Sequence, residues 1–266
     1  MKNKQPTLVI KVGGRFFDEL LEQSEHKHPL LHAIKQLQTS GARVVLVHGG
    51  GDQVQAQLKA LNLQSDKING LRVTPLHHMP VVAGVLSGYL NKTLVAQAGG
   101  LGLSGVGLSL ADGDMTRCTP ISEALGAVGE PHPNSAVLLN ALLAQGMLPI
   151  VASIGADDSG QLYNVNADHG AICVAQLLDA QLYLLSDVSG VLDASRQKLP
   201  HLSAQTAQQL IVDGVITDGM MVKVRAAQEA ADALQQAVTI GSWNDVAALS
   251  TGNNSFGTQI LPATTT

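Results

Sequence analysis

Two lysines and an aspartate define the chemistry open to this chain. Lys11 closes the apolar run Thr7-Leu8-Val9-Ile10 and is followed by Val12-Gly13-Gly14. An ammonium at a strand end, beside two residues without a Cβ, suits a bound anion, because glycine lets backbone N–H groups approach closely and tolerates the turn. Val47-His48-Gly49-Gly50-Gly51 repeats the arrangement after Arg43-Val44-Val45-Leu46. Two such turns, one carrying a lysine, describe a phosphate-handling site. Lys223 lies in Asp218-Gly219-Met220-Met221-Val222-Lys223, where Asp218 is the expected N-cap of a helix running to about residue 236. A lysine in the first turns of a helix opposes the macrodipole unless an anion offsets it, which favours a ligand over a solvated surface position.

Asn164-Val165-Asn166-Ala167-Asp168 places two amides and a carboxylate at a helix start. Capping accounts for Asn166 and leaves Asn164 and Asp168 for a ligand or catalysis. Arg72, in Asn69-Gly70-Leu71-Arg72-Val73-Thr74, precedes a helix; its guanidinium can grip a carboxylate through two parallel hydrogen bonds, with a surface ion pair as the plainer reading. His48 reads as a support for its glycine turn. His77-His78 reads as a solvated pair, since no third ligand has metal-site spacing.

The elements that must carry these residues alternate. Strand-like runs sit at about residues 7–12, 43–48, 103–109, 148–154, 182–186 and 237–241, with helical stretches near 29–39, 52–62, 76–98, 134–145, 167–178, 203–212 and 219–236. The apolar runs are nearly continuous, as in strands covered on both faces. That predicts an α/β fold: a three-layer αβα sandwich around a central, mostly parallel sheet. In such sheets ligands gather at the carboxyl ends of the strands, where Gly13-Gly14, Gly49 to Gly51 and Asp187-Val188-Ser189-Gly190 all fall. Segment 110–133 and a hairpin at 155–166 around Asp157-Asp158-Ser159-Gly160 read as excursions from the sheet, so residues 1–266 form one domain without internal repeats. Gly100-Leu101-Gly102-Leu103-Ser104-Gly105 matches the dinucleotide fingerprint, but it follows a helix and precedes a strand, so it reads as a helix C-cap.

Composition narrows the partners. The 266 residues are 45% hydrophobic but only 3% aromatic, with a net charge of -5, which argues against nucleic acid and leaves small anionic ligands. No apolar run is long enough for a membrane span and no signal-peptide core follows Met1, so a cytoplasmic location is expected. Cys118 and Cys173 read as reduced, buried thiols. The tail Ala263-Thr264-Thr265-Thr266 reads as disordered.

Together these segments resemble the acetylglutamate kinases of the amino acid kinase family. The likeness runs from Lys11-Val12-Gly13-Gly14 through the Gly49 turn, Asn69-Gly70-Leu71-Arg72-Val73-Thr74, Asn164-Val165-Asn166-Ala167-Asp168 and Ser186-Asp187-Val188-Ser189-Gly190 to Gly219-Met220-Met221-Val222-Lys223. The glycine turns indicate the family; the Asn-Gly-Leu-Arg-Val-Thr and Asn-Val-Asn-Ala-Asp segments indicate the acetylglutamate branch. The resemblance implies transfer of the γ-phosphoryl group of ATP to the side-chain carboxylate of N-acetyl-L-glutamate, the second step of arginine synthesis. It implies a substrate-binding lobe at about 1–175 and a nucleotide-binding lobe at about 176–262. Lys11 and Lys223 would neutralise the phosphoryl group, and Asp168 would orient both ammonium groups. Gly50, Gly51, Arg72 and Asn164 would bind N-acetylglutamate. ATP would contact Gly13, Gly14, Asp187, Val188, Ser189, Gly190, Val191, Leu192, Val215, Ile216, Thr217 and Gly219, with Mg²⁺ held mainly by the phosphates and no protein metal site.

The resemblance bears on two further features. The family often has small or aliphatic residues after the first glycine turn, whereas Arg15-Phe16-Phe17 stand here; Arg15 either adds charge to the phosphate turn or points to solvent. Arginine-inhibited members carry an extra N-terminal helix that interlaces dimers. Only Met1 to Pro6 precede the first strand, too few for such a bridge, so the resemblance implies an arginine-insensitive homodimer packed through the helix Val81 to Ala98.

Overall fold

The computed structural model describes residues 6–22, 28–250 and 256–263. Met1 to Gln5 and Thr264 to Thr266, on which the N-terminal and tail expectations rest, lie outside the described residues. The strands are β1 (Thr7–Val12), β2 (Arg43–His48), β3 (Lys67–Ile68), β4 (Leu71–Arg72), β5 (Gly105–Ser109), β6 (Thr116–Pro120), β7 (Val128–Pro133), β8 (Leu148–Ala152), β9 (Ile154–Ala156), β10 (Leu162–Val165), β11 (Gln181–Ser186), β12 (His201–Leu202), β13 (Val238–Ser242) and β14 (Thr258–Ile260). The α-helices are α1 (Gly14–Glu22), α2 (Pro29–Thr39), α3 (Gly51–Ala60), α4 (Met79–Ala83), α5 (Asn91–Gly100), α6 (Val137–Ala144), α7 (Ala167–Leu178), α8 (Ala204–Val212), α9 (Asp218–Leu234) and α10 (Ala247–Ser250).

Eight strands form the main sheet in the order β12-β14-β13-β11-β1-β2-β8-β5, parallel throughout except where β13 meets β14. Val44, Val45, Leu46 and Val47 of β2 are all fully buried. Successive strand residues point to opposite faces, so both faces are covered and the architecture has the expected three layers. α7 packs on β1, β2 and β11 and lies against α9, while α2 packs on β2 and against α10. The chain order turns back at β1: β2 lies on one side and β11 on the other, with Lys11 in register with Val47 and with Leu184. A crevice at such a reversal, outside the carboxyl ends of the strands, is where open α/β sheets bind ligands.

Segment 110–133 is more ordered than its composition suggests. β6 and β7 pair antiparallel there and join β10 and β9 in a second sheet of order β6-β7-β10-β9, so the expected 155–166 hairpin is one half of a larger unit. The expected helix at 76–98 is present as one uninterrupted helical stretch from Leu76 to Gly100, whose winding changes along its length: a 3₁₀ turn, α4, a π-helical stretch at Gly84–Leu90 and α5, with right-handed helical backbone at each junction. Most of its apolar face serves the chain's own core: Val82, Leu86, Leu90, Leu94 and Ala98 are buried, and Tyr89 is left 58% exposed. α5 does end at Gly100, and Gly102 has φ +77 before β5 begins, which confirms the C-cap reading of the glycine-rich match. Cys118 and Cys173 are free and buried, as expected.

Leu46 lies on β2 between β1 and β8 and is fully buried. Leu46→Ala should lower unfolding free energy by about 2–5 kcal/mol in chemical denaturation. A loss below about 1 kcal/mol would mean that this layer of the core is not packed as described.

Candidate active site

Lys11 is the next-to-last residue of β1, so its side chain emerges at the ligand edge beside the turn into α1. Its ammonium lies 2.9 Å from Asp168 Oδ1, with side-chain exposures of 16% and 26%. Asp168 is held by the start of α7: Asn166 is the N-cap, and its side-chain oxygen accepts the Asp168 N–H at 2.8 Å. The predicted helix start therefore does what its capping residue suggests.

A cavity of about 240 Å³ opens on one side of this pair, lined by Gly49, Gly50, Gly51, Arg72 and Asn164 together with Lys11, Gly13, Gly14 and Asp168. Gly50 faces Leu86 and Leu90 so closely that any added Cβ would collide with Leu90. Arg72 is 8% exposed. It donates to Gln55 Oε1, to Ser65 Oγ at 2.9 Å and to the Gly51 carbonyl at 2.7 Å, all neutral acceptors. Burial lowers its pKa, while the nearby Asp52 charge raises it. A buried guanidinium held by neutral groups keeps an unspent positive charge for a ligand anion. Asn164 on β10 donates to Thr74 Oγ1 at 3.1 Å, and that hydroxyl donates to the Arg72 carbonyl at 3.0 Å, so the two substrate-site candidates are tied through Thr74.

A second cavity, of about 260 Å³, opens at the β1–β11 crevice and shares Lys11, Gly13 and Gly14 with the first. Its other walls include Asp187 and Gly219, Lys223 from α9, and Arg15, Asp52 and Trp243. Lys223 donates to Ser186 Oγ at 3.0 Å and to Asp187 Oδ1 at 3.2 Å. Lys11, Asp168, Ser186 and Lys223 also line one small space of about 70 Å³, so both lysines face a common point. Asp168, which the resemblance assigns to both ammonium groups, pairs with Lys11, while Lys223 pairs with Asp187 and lines the same small space as Asp168, because α9 delivers Lys223 to the end of β11 and α7 delivers Asp168 to the end of β1.

The N-cap of α9 is Thr217 rather than Asp218, which takes a left-handed φ of +45 as the first helical residue. Among the nucleotide candidates, Val191 and Ile216 are buried in the core, so they brace their loops from within. Leu192 is 44% exposed and bridges to Lys198. Val188, Ser189, Gly190, Val215 and Thr217 belong to the same two loops after β11 and before α9. Sequence reading missed Ser186, Asp52, Lys67, Ser153 and Trp243 as cavity-lining residues. Only Asp52 carried a signal, as an acidic residue in the first turn of α3. Arg15, open between two readings, turns toward Asp187 Oδ2 at 2.6 Å, and Asp187 has a lowered pKa: burial works to raise it, but the hydrogen bonds from Arg15 and Lys223 prevail.

His48 supports its glycine turn, as expected. It is fully buried, with Nδ1 2.9 Å from the Gly49 carbonyl and Nε2 3.1 Å from Asn91 Nδ2. Asn91 follows directly on the π-helical stretch and also donates to the Leu108 and Ile150 carbonyls, knitting β2, β5 and β8 beneath the site. Among the described residues, no cluster of three or more His, Cys, Asp or Glu is arranged to hold a metal ion.

Residues 6–242 match the model of the amino acid kinase family. The chain belongs to that family. Acetylglutamate kinase of Proteus mirabilis is 47% identical over 257 residues, covering 96% of this chain and 98% of the relative. Acetylglutamate kinase of Shewanella loihica is 46% identical over 264 residues, covering 98% and 100%. Among solved structures, a Streptococcus mutans protein is similar at a TM-score of 0.77 and 29% identity, covering 96% of this chain and 98% of that one. Giardia lamblia carbamate kinase bound to AMP-PNP is similar at a TM-score of 0.65 and 20% identity over 97% and 99%, a likeness of fold alone. In this family member Lys11 and the glycine turns lie at strand ends, and α7 and α9 bring Asp168 and Lys223 to the same crevice.

Burial drives the His48 pKa down to about 4, against the raising effect of its bond to Gly49, and burial does the same to His28 at the start of α2. The unfolded chain protonates both near 6.5, while the folded protein resists until about 4. Folding stability should therefore be unaffected by these groups above about pH 7 and fall by about 1.4 kcal/mol per pH unit for each between 6.5 and 4. Denaturant titrations across that range check this, and His48→Gln should flatten part of the slope. Constant stability from pH 7 to 4.5 would contradict a buried, neutral His48.

Proposed function

We propose that this amino acid kinase family member phosphorylates the side-chain carboxylate of N-acetyl-L-glutamate with ATP, yielding N-acetyl-L-glutamyl 5-phosphate for arginine biosynthesis. The observation that carries the reading is the meeting of two cavities at Lys11, Gly13 and Gly14, with Lys223 converging on the same point. One cavity takes the acetylated amino acid, the other the nucleotide. The 45–47% identical relatives, all acetylglutamate kinases matched over nearly their whole length, support the choice of acceptor.

The chemistry needs no general base. A carboxylate with an ordinary pKa of about 4.3 is already ionised at neutral pH and is a ready nucleophile. The obstacle is repulsion between two anions and the charge spread over the phosphoryl group in flight, so catalysis is positioning and charge stabilisation. In the proposal, Lys11 and Lys223 meet that charge from two sides and Asp168 fixes Lys11. The N–H groups of Gly13, Gly14, Gly50 and Gly51 hold phosphate and substrate oxygens. Arg72 and Asn164 bind the backbone side of N-acetylglutamate, and the 187–192 loop with Val215 to Gly219 cradles the nucleotide. The site suits Mg²⁺ carried in by ATP, since Asp168 and Asp187 are already bonded to cations; the ion would ride mainly on the phosphates and screen their charge.

Residues 1–175 would then act as the substrate lobe and 176–262 as the nucleotide lobe of one domain, although β1 and β11 pair across the division. A homodimer packed through the Val81 to Ala98 segment, whose exposed Tyr89 is free of the core, and a cytoplasmic location complete the proposal.

A coupled ADP-release assay with N-acetylglutamate, glutamate and N-acetyl-aminoadipate tests the assignment. N-acetylglutamate should be the best substrate by a wide margin, and preference for either other acceptor would overturn it. Lys223→Ala should lower kcat by about 10²-fold or more with little change in KM, as removal of a preorganised charge donor does. Arg72→Ala should raise KM for N-acetylglutamate by about 10-fold or more, the loss of a charge-assisted pair worth roughly 1.5–3 kcal/mol, and leave KM for ATP nearly unchanged. A fall in ATP affinity alone would move Arg72 to the nucleotide.

A further inference from the structure

Arg15 follows the first glycine turn at the start of α1, and its side chain is 73% exposed. An exposed arginine that simply met solvent would have no reason to cross the mouth of the crevice. Instead its Nη1 lies 2.6 Å from Asp187 Oδ2 at the end of β11, and the other oxygen of the same carboxylate takes Lys223 at 3.2 Å. Arg15, Asp187 and Lys223 all line the cavity that also holds Lys11, Gly13 and Gly14. A lone carboxylate there would repel a polyphosphate. Placed between two cations, it is more than neutralised, and with Lys11 and the second carboxylate, Asp52, counted, three cations face two carboxylates around this cavity.

The contact to Asp187 uses Nη1, while a guanidinium offers five N–H donors in a planar fork. One edge can keep Asp187 while another meets a phosphate oxygen, a geometry that a lysine cannot reproduce. We propose that Arg15 is a phosphate-binding residue of the nucleotide cavity, contacting the polyphosphate of ATP while it holds Asp187 beside Lys223. The assignment rests on reading this cavity as the ATP site. It concerns ground-state binding: Arg15 stands at the solvent-exposed mouth and does not line the small space shared by Lys11 and Lys223 where the phosphoryl group would cross, so it contributes to affinity for ATP far more than to kcat.

The test compares the full-length protein with its Arg15→Ala and Arg15→Lys variants. Isothermal titration calorimetry with ATP and Mg²⁺, without acceptor, gives Kd; steady-state assays give the two KM values; thermal melting of the ligand-free proteins reports folding. Arg15→Ala should weaken ATP binding by about tenfold, as expected for a partly exposed charged contact, and the loss should shrink at high salt. Arg15→Lys should recover only part of it. KM for N-acetylglutamate and kcat should stay within about threefold of wild type. Unchanged ATP affinity in Arg15→Ala would overturn the proposal, as would a lowered melting temperature with both KM values raised together, the mark of a tether between α1 and the β11 loop. If the wild-type protein itself bound no ATP, the nucleotide reading of the cavity would fall, and this assignment with it.

Discussion

The ion pair between Lys11 and Asp168 is the constraint around which the rest is arranged. Lys11 stands at the end of a central strand and lines both cavities. An ammonium in that position has to be oriented without being neutralised by several acceptors. One carboxylate at 2.9 Å, itself fixed by the capped start of α7, does that. The consequences spread outward. α7 must lie across β1 and β2, the glycine turns must stay open to a ligand, and β11 must pair with β1 to bring Asp187 and Lys223 to the same crevice.

The sheet order produces the second half of that arrangement. β1 is flanked by strands from distant parts of the chain, so the crevice gathers residues 11–15, 185–187 and 219–223 without any of them being neighbours in sequence. The two ammonium groups therefore differ in position: Lys11 lines both cavities, whereas Lys223 lines the one at the β1–β11 crevice and the small space between them. Beneath them, the buried hydrogen bonds of Asn91 tie His48 of β2 to β8 and β5 under the second glycine turn.

Much of this was legible in the sequence where local physics decides it. The apolar runs of β1, β2 and β11, the capped start of α7 at Asn166 and the C-cap after Gly100 follow from periodicity and side-chain chemistry alone. The second sheet was not legible, because β6 and β7 are short and rich in Pro, Gly and polar residues and become strands only by pairing with each other and with β10. The π-helical winding at Gly84–Leu90 inside the predicted helix was not legible either, since a run of apolar residues with two glycines does not mark where i→i+4 bonding gives way to i→i+5. Partners across the fold were beyond reach as well: that Lys223 meets Asp187 rather than Asp168, and that Arg15 reaches across 172 residues to the same carboxylate, depends on which helix delivers each side chain to which strand end.

In the proposed reaction Lys11 acts on charge that develops as the phosphoryl group crosses between the cavities. Single-turnover rapid-quench kinetics on Lys11→Ala, with ATP and N-acetylglutamate both saturating, measures that step apart from binding and product release. A transfer rate at least about 10²-fold below wild type is expected, with both substrates still bound. A transfer rate near wild type, with the loss confined to affinity for either substrate, would contradict it.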